Sequence, residues 1–127
     1  MIFSIFFSRS VYGDLSTKKI EEIEKSVVRI LVLKDKKING GSAFLINNDG
    51  NFVTNYHVIK DADKIRVLFG DADDVNAEVL FASPQLDLAI LKIDYIGLPV
   101  PIRIRISEVK KGEKIYARGF PAITDQE

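Results

Sequence analysis

The residues best suited to acid–base chemistry in this 127-residue sequence are its single histidine, His57, and Asp87, thirty positions later. Imidazole titrates near neutral pH, so a histidine can take up and release a proton under ordinary conditions. A base of this kind can activate a hydroxyl group, which is a weak nucleophile until its proton is removed. The alternative for His57 is an ordinary, partly buried side chain after a strand, and the alternative for Asp87 is a loop carboxylate that opens a strand.

Apolar residues flank Asp87 in the sequence. Leu86 precedes it and the run Leu88–Leu91 follows it, so we expect the carboxylate to be buried beside apolar side chains. An unpaired charge in such a place is costly, which favours a partnered Asp87 over a free loop carboxylate. Asp94 is a competing carboxylate, but it follows the strand and is expected to be solvated.

Short runs rich in β-branched and aromatic residues surround both candidates and are separated by turn signals. The predicted strands are 27–33, 41–46, 52–54, 64–69, 76–81 and 88–93, with a further strand at 114–121, and the predicted turns are 34–39, 47–51 and 70–74. A short helix is predicted over 16–25, with Ser16 or Thr17 as its cap. Short strands with no long helix between them predict an antiparallel barrel or sandwich.

The composition excludes several classes of function. Lys+Arg and Asp+Glu number 18 each, so the formal net charge is zero, and nothing indicates a nucleic-acid-binding surface. The sequence has no cysteine, which excludes disulfides and thiolate metal sites. It also has no phosphate-binding loop, dinucleotide fingerprint or zinc-ligand set. We therefore predict neither a cofactor nor a nucleic-acid partner.

The first thirteen residues combine an apolar run, 1–7, with a more polar stretch, 8–13. The apolar run is far too short to span a bilayer, so no integral membrane segment is predicted. It resembles the end of a secretory signal peptide with Val11 and Gly13 at the cleavage positions, although it lacks a basic start. The alternative is a terminal tail that packs on the domain or on a neighbour. We expect export, which favours an extracytoplasmic location, periplasmic or secreted, over a cytoplasmic one.

Four segments taken together carry a family resemblance, and they are 41–46, 52–59, 87–93 and 111–121. In this order they resemble the trypsin-like (chymotrypsin-fold) serine proteases, in particular the bacterial HtrA/Deg type, over residues 17–121. The family fold is a pair of six-stranded β-barrels with the active site in the cleft between them. The resemblance implies an all-β chain with an antiparallel six-stranded β-barrel and a short N-terminal helix. It would divide into an N-terminal tail or signal-peptide remnant (1–13), the first barrel (14–101), and a connector with the start of a second barrel (102–127).

By the same resemblance, His57 would be the general base and later the general acid of peptide-bond hydrolysis. Asp87 would fix the tautomer of the imidazole and stabilise the imidazolium. The substrate would be a protein or peptide, and no cofactor is implied. The family's nucleophile is a serine in a Gly-Asn/Asp-Ser-Gly-Gly turn, and no such run exists here. Ser42 follows two glycines, but its segment matches a strand of the family, so we expect the chain alone to be inactive.

Two functions remain open from the sequence. The first is the N-terminal half of an HtrA-like serine endopeptidase in a truncated chain, and the second is a non-catalytic protein-binding module that retains the protease barrel. The predicted strand 114–121 is expected to have nothing to pair with in this chain, which favours truncation. A lone first barrel would also expose apolar surface, so we expect a homo-oligomer or a poorly soluble product.

Overall fold

A computed structural model describes the backbone of residues 5–8, 16–69, 73–104, 111 and 115–118, and the side chains of 16–69, 73–104 and 111. The expected tail at 1–13, the turn at 70–74 and the connector at 102–127 therefore lie partly outside the described residues. In chain order the elements are β1 (Ile5–Ser8), α1 (Thr17–Lys25), β2 (Val27–Lys34), β3 (Lys37–Leu45), β4 (Asn51–Thr54), α2 (Tyr56–Ile59), β5 (Lys64–Phe69), β6 (Asp73–Asn76), β7 (Glu78–Ser83), β8 (Leu88–Lys92) and β9 (Ile115–Arg118).

Seven strands form one curled antiparallel sheet in the order β6-β5-β2-β3-β4-β8-β7. Its two edge strands, β6 and β7, are separated in the chain only by Ala77, whose backbone N–H donates to the carbonyl of Ile65 at 3.0 Å. The all-β class and the short N-terminal helix are confirmed. The expected count of six strands is wrong, because the predicted strand 76–81 is part of a longer extended stretch that Ala77 divides into two.

The core lies on the inner face of this sheet and follows the alternation of side chains along each strand. In β2, Ile30 is fully buried and Val32 is 1% exposed, and Leu45, Phe52 and Val67 of other strands are fully buried as well. Each such side chain contributes roughly 1.5–3 kcal/mol when it leaves water. The apolar core therefore fixes the register of the strands that carry the candidate residues.

Helix α1 begins as the sequence predicts. The Ser16 side chain accepts a hydrogen bond from the backbone N–H of Lys19 at 3.1 Å, which satisfies one of the free donors at the helix start. The C-terminal cap, Ser26, has its N–H bonded to the carbonyl of Ile23 at 3.0 Å, and β2 follows at once. The helix therefore leads directly into β2, a central strand of the sheet.

A second, two-stranded sheet pairs β1 with β9 antiparallel, with Ile5 opposite Arg118 and Ser8 opposite Ile115. The expectation that the strand at 114–121 has no partner within the chain is therefore wrong. A sequence pattern predicts that a segment is extended, but it does not identify the partner, and four residues of the expected N-terminal tail provide it. The pairing is antiparallel, as in the main sheet.

Candidate active site

His57 and Asp87 meet at one end of the β4–β8 ladder. These strands pair antiparallel from Asn51 opposite Lys92 to Thr54 opposite Ala89. His57 follows the last of these pairs on one strand, and Asp87 precedes it on the other. The register of two neighbouring strands therefore places the two side chains at the same edge, although they are thirty positions apart in the chain.

A single helical turn, α2, carries the histidine, and the sequence analysis did not predict it. The N–H of Lys60 donates to the carbonyl of Tyr56 at 2.9 Å, and Ile59 is only 5% exposed, so a buried side chain anchors the turn. Val58 packs on strand β3, where a Cβ placed on Gly41 would lie only 2.7 Å from its Cγ1. Glycine at position 41 therefore lets α2 lie close against the sheet.

One carboxylate holds both the ring and the backbone of His57. The ring Nδ1 lies 2.7 Å from Oδ2 of Asp87, and the backbone N–H of His57 donates to Oδ1 at 2.8 Å. When Nδ1 donates its proton to the carboxylate, a neutral imidazole has its basic lone pair on Nε2. The arrangement can therefore present a base of fixed orientation to a group outside the pair.

The pKa of Asp87 is held below that of an ordinary carboxyl group. The backbone N–H of His57 is the main cause, partial desolvation acts in the opposite direction, and the hydrogen bond from the His57 ring lowers the pKa further. A carboxylate that accepts such bonds favours its charged form. Asp87 is therefore an acceptor for the imidazole proton under neutral conditions.

The pair is partly open to solvent, because the side chains of His57 and Asp87 are 38% and 43% exposed. Leu86 and Leu88 are themselves 68% and 38% exposed, so the expectation that apolar neighbours bury Asp87 is wrong. Hydrogen bonds, and not burial, hold the carboxylate in place. The side chain of Asp94 is 99% exposed, which confirms that this competing carboxylate is solvated.

Asp87 has an unusual backbone conformation, with a φ of 52°, in the left-handed region that residues other than glycine adopt infrequently. Its N–H donates to the carbonyl of Pro84 at 3.3 Å, and its own carbonyl accepts from the side-chain Nδ2 of Asn55 at 2.9 Å. The sequence analysis missed Asn55. Its position after strand 52–54 and two residues before the candidate base was the available signal.

Ser42 lies in β3, fully buried and opposite Arg29 of the neighbouring strand. Its carbonyl accepts a hydrogen bond from the hydroxyl of Thr54 at 2.8 Å, and that bond ties the end of β4 to β3. The strand predicted for Ser42 is confirmed. Its place in the sheet gives it a part in positioning the end of β4.

Metal-binding clusters and membrane-spanning helices are absent from the residues that the structure describes. No group of three or more His, Cys, Asp or Glu side chains among them is arranged to hold a metal ion. None of their helices has the length and apolarity that would let it cross a bilayer. A groove of about 590 Å³ lies between α1 and the end of β5, with Phe69 and Tyr95 in its wall, and neither His57 nor Asp87 lines it.

The fold and the contact between His57 and Asp87 agree with one known protein family. The family described as the trypsin-like peptidase domain matches residues 41–127, which is more than half of the chain and includes both candidate residues. The chain belongs to the trypsin-like peptidase domain family. The family resemblance seen in the four sequence segments is thereby confirmed.

Within this family the chain is similar to bacterial proteases of the HtrA and DegP type. A probable periplasmic serine endoprotease DegP-like from Ectopseudomonas mendocina is 41% identical over 81 residues, which cover 64% of this chain and 17% of that protein. A protein of the same description from Pseudomonas fluorescens is also 41% identical over 81 residues. The chain thus spans 17% of the length of these curated relatives.

Solved structures show the same likeness. The HtrA-type protease AlgW with tripeptide superimposes with a TM-score of 0.66 at 25% identity, covering 77% of this chain and 36% of that one. The serine endoprotease from Yersinia pestis gives a TM-score of 0.62 at 25% identity, covering 77% of this chain and 41% of that one. The curled sheet described above is therefore shared with part of these proteases.

Proposed function

We propose that this chain supplies the base and the orienting carboxylate of a Ser-His-Asp triad in an HtrA-like serine endopeptidase. The observation that carries the proposal is the contact of 2.7 Å between Nδ1 of His57 and Oδ2 of Asp87, within a trypsin-like peptidase domain. The additional bond from the His57 backbone to the same carboxylate supports it, because a triad needs a ring of fixed orientation and tautomer.

In the proposed reaction, the serine oxygen attacks the carbonyl carbon of a peptide bond while Nε2 of His57 takes the hydroxyl proton. The imidazolium then gives this proton to the leaving amine, and an acyl-enzyme remains. Water attacks the acyl-enzyme in the second half, with His57 again as the base. Asp87 stays ionised throughout, since its pKa lies below the ordinary carboxyl value, and it stabilises the positive ring in both halves.

The nucleophile is the part of the triad for which these 127 residues offer no candidate. No serine lies in a glycine-rich turn of the family type, and backbone donors of such a turn form the oxyanion hole in trypsin-like proteases. We therefore expect the 127-residue chain by itself to be catalytically silent. Its expected substrates are proteins or peptides, and its expected location is extracytoplasmic, since the relatives are named as periplasmic.

The test begins with the reading frame that encodes residues beyond Glu127. A frame that continues into a glycine-flanked serine gives a protein that can be purified and assayed on an unfolded protein substrate. We expect His57→Ala and Asp87→Asn each to reduce kcat by roughly 10⁴-fold, the magnitude typical of a lost triad member. Asp94→Asn is the matched control. Asp94 is the aspartate that follows strand β8, whereas Asp87 precedes it, and its side chain is 99% exposed. We expect the Asp94→Asn variant to retain activity.

Either of two results would reject the endopeptidase. One is a stop codon directly after Glu127, and the other is full activity in the Asp87→Asn variant. In the first case, the non-catalytic protein-binding module that retains the protease fold becomes the leading explanation. Binding without hydrolysis would then be measured with the 127-residue chain and an unfolded protein.

We also expect self-association of the 127-residue chain. Strand β7 has its apolar side chains exposed, with Leu80 at 55% and Phe81 at 51%, and Leu86 in the following loop is 68% exposed. Large exposed apolar side chains of this kind promote association when they form a patch. Light scattering during size-exclusion chromatography would test this, and a stable monomer with cooperative unfolding would contradict it.

A further inference from the structure

Asn55 stands between the end of β4 and the start of α2, with φ −83° and ψ 142°. An asparagine at such a cap position usually accepts a hydrogen bond from the backbone N–H two or three residues along. The Asn55 side chain makes no capping bond of this kind. Its amide donates instead to the backbone carbonyl of Asp87 at 2.9 Å, so the side chain serves the neighbouring strand and not its own helix.

The backbone N–H that an ordinary cap would satisfy is taken by Asp87. The N–H of His57, two residues after Asn55, donates to Oδ1 of Asp87 at 2.8 Å. The two segments are therefore joined by a reciprocal exchange. The side chain of Asn55 binds the backbone of Asp87, and the side chain of Asp87 binds the backbone of His57.

This exchange holds Asp87 in a conformation that its own backbone does not favour. Its φ of 52° lies in the left-handed region, which is sterically unfavourable for a residue with a Cβ. The N–H of Asp87 is bonded to Pro84 at 3.3 Å, and its carbonyl is bonded to Asn55. With both sides of the residue fixed, the carboxylate points at the His57 ring.

We propose that Asn55 is a positioning residue, whose side-chain amide holds the backbone of Asp87 so that the carboxylate orients the His57 ring. Its relevance to catalysis rests on the proposed function, but the contacts themselves lie within these 127 residues. Asn55 need not touch the substrate or the reacting atoms. It acts through Asp87.

The first test uses the 127-residue chain and its single histidine, labelled with ¹⁵N. At alkaline pH, where imidazole is neutral, the two ring nitrogen shifts report which nitrogen carries the proton. We expect the native chain to have the proton on Nδ1, facing Asp87. In Asn55→Ser, which keeps a good capping side chain but is too short to reach Asp87, we expect the two tautomers to mix. Asn48→Ser is the matched control, since Asn48 is an exposed asparagine in the turn before β4, and its spectrum should remain native.

Circular dichroism and chemical unfolding of the same samples separate positioning from folding. A folded Asn55→Ser variant with native ring shifts would overturn the proposal, as would a native chain without the Nδ1 proton. A second variant, Asn55→Ala, removes the amide without adding a hydroxyl and should give the same mixed tautomers. If both variants fail to fold, Asn55 determines the fold and the proposal is also wrong.

A kinetic test in the complete protein distinguishes this inference from the proposed function. If that protein is a protease, we expect Asn55→Ser to lower kcat on the order of 10- to 100-fold, the range typical of a misplaced catalytic group, with KM nearly unchanged. An unchanged kcat would overturn the inference while the protease itself stands. If the complete protein proves inactive but the ring shifts change as expected, the positioning contact stands and the proposed function fails.

Discussion

The two ends of the β4–β8 ladder contain the same kinds of residue, but one end is a turn and the other holds His57 against Asp87. Beyond the pair of Asn51 and Lys92 lies a turn with Gly50 at φ 84°, and beyond the pair of Thr54 and Ala89 lies Asp87 at φ 52°. Each end thus has one residue in the left-handed region, and each has an asparagine bonded to backbone. Only one of the two ends places a base beside a carboxylate.

At the turn end, the contacts fix the reversal of the chain and attach it to the end of β8. The side-chain oxygen of Asn47 accepts from the N–H of Asp49 at 3.0 Å and from that of Asn51 at 3.2 Å. The carbonyl of Gly50 accepts from Ile93 at 3.0 Å. Glycine takes up the left-handed conformation at no steric cost, so this end has no conformational penalty to offset.

At the other end, the left-handed residue has a side chain, and its carboxylate binds the ring and the backbone of His57. Strained residues of this kind persist only where their surroundings hold them, and they are concentrated at functional sites. The asparagine of this end donates to a strained backbone, whereas Asn47 accepts from a relaxed one. A left-handed residue with a Cβ is not by itself an indicator of a site, because Asp35, Lys36 and Asp61 also have a positive φ; what distinguishes Asp87 is that its carboxylate binds both the ring and the backbone of His57.

The change with the largest expected effect removes the glycine of the turn end. In Gly50→Ala the new Cβ would lie 2.3 Å from the carbonyl oxygen of Ile93, at a φ of 84°. Adding the left-handed penalty to overpacking against backbone gives a loss of about 3 kcal/mol in the free energy of unfolding. Urea denaturation measures it, and Asn48→Ala in the same turn should change stability by less than about 0.5 kcal/mol. A Gly50→Ala variant as stable as that control would contradict the steric argument.

The next change acts on the contact between β3 and α2, the helical turn that carries His57. In Gly41→Ala the new Cβ would lie 2.7 Å from Cγ1 of Val58, and a valine side chain has little rotamer freedom with which to move away. We expect a loss of about 2 kcal/mol, again measured by urea denaturation, together with a shift of the His57 ring signals.

The double variant Gly41→Ala with Val58→Ala is the control for this prediction. Removing the two methyl groups of Val58 opens the space that the new Cβ needs, so part of the loss should be recovered. Coupling between residues in contact is the expected behaviour. If the losses of unfolding free energy in the two single variants simply add, the close contact between Gly41 and Val58 does not position α2 on the sheet.

The sequence predicted the strands of the sheet well, because alternation and β-branched residues report burial directly. Strand 64–69 and the start of the strand at 27 agree with the structure, and the cap at Ser16 was found. Residues 73–74, predicted as the end of a turn, open strand β6 (Asp73–Asn76), where Arg66 of β5 binds Asp74 at 2.7 Å. An ion pair between two strands leaves no alternation of polar and apolar residues in the sequence, so the sequence pattern did not indicate this strand.

The site was predictable in its members but not in its support. Residue type and the family resemblance singled out His57 and Asp87, which the structure places in contact. The role of Asn55 depends on a left-handed residue thirty-two positions away, and the 43% exposure of the Asp87 side chain is not indicated by the leucines beside it in the sequence. Both are tertiary facts that local propensity does not contain.

A smaller effect on stability, but a clear effect on the ring, is expected for Asp87→Asn. Asparagine keeps the shape of aspartate and tolerates the left-handed region, and its oxygen can still accept from the His57 backbone. Its amide would face Nδ1 with a donor, so the ring proton should move to Nε2, which ¹⁵N shifts of the single histidine would show. We expect the free energy of unfolding to fall by less than about 1 kcal/mol, as for an exposed ion pair. An Nδ1 proton retained in this variant would refute the contact, and Asp94→Asn should leave the ring unchanged.

The smallest expected effect is the pH dependence of that stability difference. The pKa of Asp87 is lower in the folded chain than in an unfolded one, so the unfolded chain binds the proton first as the pH falls. The stabilisation by Asp87 is therefore complete above the ordinary carboxyl range and is lost as the pH falls through the lowered value.

Asp74 beside Arg66 also has a lowered pKa, so acid unfolding of the native chain alone does not isolate Asp87. The difference in urea stability between the native chain and Asp87→Asn does isolate it, and this difference should shrink toward its acid limit below the ordinary carboxyl range. A difference that stays constant from neutral to acid pH would mean that charge on Asp87 has no part in holding this end of the ladder.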